Sequence, residues 1–170
     1  MRSRDAGVRE DGGAFILARM RLAAVTAIAA VLLAVTPALA DDIRGTPGPD
    51  NLTGTPGPDR IAGLRGNDRI QGLAGPDQLL GGPGDDVIFG DAGADTIGGG
   101  PGNDTLLGGG GPDRIRGGPG RDTIVGGDGN DRIFARDGEV DRIACGKGRD
   151  IVVADGGDAV SRDCEVVRRG

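Results

Sequence analysis

From Gly45 to Phe134 the chain repeats one nine-residue pattern ten times without losing register. The glycines that open the units are Gly45, Gly54, Gly63, Gly72, Gly81, Gly90, Gly99, Gly108, Gly117 and Gly126. A second Gly holds the fourth place, Asp the sixth, and Leu or Ile the eighth. The sixth-place residues are Asp50, Asp59, Asp68, Asp77, Asp86, Asp95, Asp104, Asp113, Asp122 and Asp131. So short a period means a solenoid, because no unit can bury its own apolar face and each must stack on its neighbours.

Composition sharpens this expectation. The 170 residues suit one domain, but include 36 Gly and 10 Pro, with no Trp, Tyr or His. Such a composition alone suggests disorder; fixed offsets of Gly, Asp and Leu/Ile argue against it. One aliphatic ladder buries too little area to offset the ordering entropy of a glycine-rich backbone. Something besides hydrophobic burial must hold the coils together.

The first forty residues read differently. Leu22–Val35 is an apolar run behind Arg19 and Arg21, followed by Pro37 and the small-x-small sequence Ala38-Leu39-Ala40. This predicts a signal peptide over 1–40 and a secreted product; a membrane anchor would need about twenty apolar residues. Residues 1–18 carry Asp5, Glu10 and Asp11, unusual for a positive leader, and Met20-Arg21 offers a more conventional start. The rest divides into a linker at 41–44, the repeats at 45–134, and degenerate repeats with a C-terminal cap at 135–170.

Without its leader the chain has 23 acids against 15 bases. That balance disfavours nucleic acid, whose phosphates demand Lys and Arg, and suits cations. No membrane span is expected after leader removal. Cys145 and Cys164, an even pair at the end of an exported domain, predict a structural disulfide worth roughly 3 kcal/mol. A zinc site or catalytic thiol would lack His or further Cys to assist it.

Within each unit, places one to six, such as Gly81-Gly82-Pro83-Gly84-Asp85-Asp86, form a tight turn, and places seven to nine, such as Val87-Ile88-Phe89, a short strand. If two repeats make one coil, alternate repeats stack at about 4.8 Å. One flank then aligns Asp50, Asp68, Asp86, Asp104 and Asp122, and the other Asp59, Asp77, Asp95, Asp113 and Asp131. Neighbouring carboxylates at that spacing repel by a few kcal/mol at an effective dielectric near 20. Cations between them would reverse the sign. Carboxylates with turn carbonyls make an all-oxygen shell of irregular geometry, which selects Ca²⁺ over Mg²⁺. Sites between turns two repeats apart allow at most about eight regular ions in ten repeats.

The pattern Gly-Gly-x-Gly-x-Asp-x-Leu/Ile-x resembles the hemolysin-type calcium-binding (RTX) repeats of bacterial secreted proteins, closely over 45–134 and loosely over 135–160. The resemblance implies an all-β, right-handed parallel β-roll with Ca²⁺ held between successive turns. It makes each of the ten sixth-place aspartates a calcium ligand. Thr46, Thr55, Leu64, Leu73 and Asp91 replace the second glycine, and proline takes the fifth place at Pro49, Pro58, Pro76 and Pro112. Asn67, Asp85, Asn103 and Asn130 at that place could add oxygens. The strongest sites are therefore expected between Gly81 and Asp131.

Beyond Phe134 the spacing loosens, while Ile143, Val152 and Val160 continue the aliphatic ladder two places after Asp141, Asp150 and Asp158. These residues predict degenerate coils closing the solenoid, with the disulfide pinning the cap and weak ion binding at Asp141 and Asp150. Phe89, Leu107 and Val125 should line up as an outward apolar stripe, available to a partner or covered by the cap or tail. Function falls to an exported calcium-binding protein that folds on meeting Ca²⁺, with a cell-surface structural or adhesion module, and an unidentified protein or cell-wall partner, as the alternative. An enzyme is not expected: there is no His, no Gly-x-Ser-x-Gly and no His-Glu-x-x-His.

Overall fold

Fifteen short strands follow one another through the computed structural model, which describes residues 40–169. They are β1 (Asp42–Arg44), β2 (Asn51–Thr53), β3 (Arg60–Ala62), β4 (Arg69–Gln71), β5 (Gln78–Leu80), β6 (Val87–Ala92), β7 (Thr96–Gly98) and β8 (Thr105–Gly110). The remainder are β9 (Arg114–Arg116), β10 (Thr123–Asp128), β11 (Arg132–Ala135), β12 (Arg142–Lys147), β13 (Ile151–Ala154), β14 (Ala159–Val160) and β15 (Val166–Arg169). The expected leader lies outside the described residues. No helix among the described residues is long and apolar enough to cross a membrane.

Odd-numbered strands form one parallel sheet, β1 to β15, and even-numbered strands a second, β2 to β14. The chain thus alternates between sheets, and two repeats make one coil of a β-solenoid. Ile61 pairs with Leu79, and Leu79 with Ile97, each eighteen positions on. Past the regular repeats the step changes: Ile124 pairs with Ile143, Ile133 with Val152, and Ile143 with Val160. The loosened spacing is thereby absorbed in the turns, and the ladder stays in line.

The core is one side chain wide per sheet. Ile61, Leu79, Ile97, Ile115 and Ile133 face Ile70, Ile88, Leu106 and Ile124, all at or below 1% exposure. Strand alternation dictates this, since only the middle residue of three can point inward. Ala135, Cys145 and Ala154 are also buried, at places where glycine opens the earlier units.

On the even-numbered sheet, β6, β8, β10 and β12 run six residues instead of the three expected. Pairing continues into the next turn there, with Asp91 opposite Gly109 and Gly109 opposite Gly127. Phe89, Leu107 and Val125 align across these strands as anticipated. They are half-buried rather than bare, and the Arg69 guanidinium lies 4.6 Å from the Phe89 ring centroid.

Cys145 and Cys164 form the expected disulfide, tying β12 to the segment that precedes β15 across 19 positions. Its loop closure is worth roughly 3 kcal/mol in the chain-entropy account. A Cys145→Ala/Cys164→Ala variant should lose about that much stability in denaturant titrations at saturating Ca²⁺. Alanine fits at 145, as Ala135 and Ala154 occupy corresponding places. An unchanged unfolding midpoint would deny the bridge its clamping role.

Candidate functional site

Each turn delivers its sixth-place aspartate inward, immediately before the strand that anchors it. One carboxylate oxygen is then committed to the coil before it. The Asp68 N–H donates to Asp86 Oδ1 at 2.8 Å, Asp86 N–H to Asp104 Oδ1 at 2.8 Å, and Asp104 N–H to Asp122 Oδ1 at 2.9 Å. The other flank repeats this from Asp59 through Asp77, Asp95 and Asp113 to Asp131. The same bond continues past the regular repeats, where Asp122 N–H reaches Asp141 Oδ1 and Asp131 N–H reaches Asp150 Oδ1, both at 2.8 Å. Glu165 ends one series by accepting from the Asp150 N–H at 2.9 Å.

The second oxygen is left over. Oδ2 of Asp68, Asp77, Asp86, Asp95, Asp104, Asp113, Asp122, Asp131, Asp141 and Asp150 is buried and has no hydrogen-bond partner. A buried acceptor without a donor is costly, and more so when it is charged. From Asp68 to Asp131 these oxygens face space that the opening glycines keep clear. A Cβ on Gly126 would stand 2.5 Å from Asp131 Oδ2 and 2.6 Å from the Cys145 carbonyl oxygen. A Cβ on Gly99 would collide with Asp104 Oδ2 and lie 2.8 Å from the Gly117 carbonyl. Carboxylate and carbonyl oxygens thus converge on one cleared point, a donor set that fits a hard cation. Among the described residues no three acidic or cysteine side chains cluster, so backbone carbonyls complete the donor set at each such point.

The ten sequence-predicted residues do not all share this geometry. Eight do, from Asp68 to Asp131; Asp141 and Asp150 share the unpartnered Oδ2 but have Ala135 and Cys145 in place of the opening glycine. Asp50 and Asp59 differ: Thr46 N–H donates to Asp50 Oδ2 at 2.6 Å, and Thr55 N–H to Asp59 Oδ2 at 2.5 Å. The fifth-place side chains also act otherwise than anticipated. Asn67 Oδ1 accepts the Asp85 N–H at 3.1 Å, Asp85 Oδ1 the Asn103 N–H at 2.7 Å, and Asn130 Oδ1 the Arg149 N–H at 2.9 Å. Those oxygens join coil to coil along the outside of the turns.

The electrostatics follow the geometry. Burial pushes the Asp104 and Asp113 carboxyls up to about 7, against the pull of the Asp86 and Asp95 N–H groups and with added repulsion from stacked aspartates. Asp77, Asp86, Asp122 and Asp141 are raised to about 6, burial again leading. Asp95 and Asp131 are raised for the same reason. Asp59 moves the other way: burial raises it, but the Thr55 and Asp41 N–H groups and the Thr55 hydroxyl together hold it below the ordinary carboxyl range.

Carboxyls raised in the folded state bind protons more tightly folded than unfolded. Ion-free stability from this source is therefore greatest below about pH 4 and falls as pH rises through 6 to 7. Ca²⁺ requires the deprotonated form, so its binding strengthens over the same interval. Circular dichroism in chelator should accordingly show β signal declining from pH 5 to pH 8, with Ca²⁺ restoring it at pH 8. A flat chelator profile would contradict the assignment.

A family model for the RTX calcium-binding nonapeptide repeat, in four-copy form, matches residues 44–79, 71–106 and 107–139. No curated protein matches the chain. The matched stretches span more than half of the sequence and coincide with the coils that carry the stacked carboxylates. The chain belongs to the RTX calcium-binding nonapeptide repeat family.

Proposed function

We propose that this is an exported calcium-binding β-roll that folds when it meets Ca²⁺ outside the cell, with the open aspartates from Asp68 to Asp131 as principal ligands and Asp141 and Asp150 as weaker ones. The carrying observation is the series of buried Oδ2 atoms without a donor. Asp141 and Asp150 rank lower because Ala135 and Cys145 stand where glycine opens the regular units. Bound Ca²⁺ supplies positive charge between carboxylates that otherwise repel across the coil spacing. The residues do the rest: Oδ1 fixes each carboxylate against the preceding coil, the opening glycine clears the space, and the aliphatic ladder sets the register. Export is supported by the leader-like 1–40 and by a disulfide, which persists in oxidising compartments. The role is binding rather than catalysis, in keeping with a chain that lacks His.

Circular dichroism of the 41–170 form at pH 8 should gain β signal with Ca²⁺ and lose it with chelator. Asp104→Asn, which removes one charged ligand, should raise the Ca²⁺ midpoint by at least about tenfold. Insensitivity of the spectrum to both additions would overturn the reading. A second reading, a calcium-rigidified cell-surface scaffold or adhesion module, draws on a groove of about 710 Å³ on the odd-numbered sheet. There Arg114, Arg116 and Arg136 stand beside Leu80 and Phe134. Retention on cell-wall material only in Ca²⁺, abolished by Arg114→Ser/Arg116→Ser, would favour it over a freely secreted role.

A further inference from the structure

The ten repeats share one cleared point but not one turn. In the eight regular open units, those of Asp68 to Asp131, the second-place residue has a left-handed backbone: φ is +113° at Gly82, +117° at Gly100 and +111° at Gly109. Leucine takes it too, at +85° in Leu64 and +81° in Leu73, and so does Asp91 at +69°. With that geometry the N–H groups of Leu64, Gly82 and Gly100 donate to the next coil, Leu64 to Gly81 O at 3.0 Å and Gly82 to Gly99 O at 2.8 Å. The fourth-place N–H does likewise, Gly66 to Pro83 O at 3.0 Å and Gly84 to Pro101 O at 2.9 Å. The carboxylate within the unit receives neither.

Thr46 and Thr55 are absent from that left-handed set. A β-branched residue resists positive φ, so the turn closes on itself. Thr55 N–H and its hydroxyl both donate to the Asp59 carboxylate, at 2.5 and 3.1 Å, while the hydroxyl accepts the Gly57 N–H at 3.2 Å. Thr46 does the same with Asp50 and Gly48. The cleared point persists behind it: a Cβ on Gly54 would still lie 2.5 Å from Asp59 Oδ2 and 2.7 Å from the Gly72 carbonyl. At the other end Asp158 is also closed from within, its Oδ2 accepting the Asp155 N–H at 2.6 Å. The open carboxylates are thus bracketed by satisfied ones.

We propose that Thr46 and Thr55 stand in for a cation: their donors neutralise the need at Asp50 and Asp59, so the first two repeats form a calcium-independent N-terminal cap, and the second-place residue decides which repeats take an ion. This inference rests on the calcium reading above and deepens it. Solenoids require atypical terminal units, because an end coil has a neighbour on one side only. The carbonyl of the following coil is present at both points, Gly63 O beside Asp50 and Gly72 O beside Asp59, so it is the threonine donors, satisfying the carboxylate from within the turn, that remove the demand for an ion.

The test is ion counting by native mass spectrometry on protein stripped with chelator and reloaded with Ca²⁺. Thr55→Gly should bind one more Ca²⁺ per chain than the parent. Thr55→Leu should do the same, as Leu64 and Leu73 accept the left-handed turn. Thr55→Val, which keeps the β-branch and loses the hydroxyl, should leave the count unchanged. Asp59→Asn should also leave it unchanged, whereas Asp104→Asn should lose an ion. A parent that takes up Ca²⁺ but loses an ion in Asp59→Asn, or gains none in Thr55→Gly and Thr55→Leu, overturns this inference alone. A parent that takes up no Ca²⁺ overturns the calcium reading itself.

Discussion

From Asp68 to Asp150 each coil rests on a carboxylate that does two jobs. One oxygen accepts the backbone N–H of the aspartate in the coil before it, and the other turns into a space lined by carbonyls. The first contact fixes the spacing between coils; the second creates a demand for positive charge at that same spacing. Neither can be changed without the other, because both belong to one rigid side chain. A glycine-rich chain with a core one residue wide per sheet has no other reserve of comparable size.

This coupling explains the sequence economy of the nine-residue unit. The opening glycine is needed for clearance, since at nine of the ten a Cβ would meet the carboxylate and the next coil's carbonyl together. The aliphatic is needed to keep eighteen-residue partners in register. Aspartate, shorter than glutamate, reaches the neighbouring N–H and still leaves an oxygen in the turn. Where the spacing loosens beyond Phe134, the chain keeps the aspartate and the aliphatic and relaxes the turn, substituting Ala135, Cys145 and Ala154 for glycine. A covalent bridge then clamps the end.

Much of this was legible from spacing alone. The exact period gave two alternating sheets, the identity of the buried ladder and the two flanks of aspartates. The Cys145–Cys164 pair followed from compartment and position. The fate of individual oxygens was not legible, because it turns on backbone φ at the second place. Thr55 and Leu64 both read as departures from glycine, yet one closes its turn on Asp59 and the other leaves Asp68 open. The branching of the threonine side chain was the available signal. The fifth-place asparagines were misjudged for a related reason: their oxygens are equally polar, but they lie on the outside of the coil where backbone N–H groups compete for them.

Scanning calorimetry of the stripped protein at pH 8 tests the central claim most directly. If cations bridge the coils, the ion-free chain shows no cooperative melting transition, and Ca²⁺ restores a sharp one. A transition of equal temperature and enthalpy in both states would mean that the layers hold together without the ions, and the account would fail.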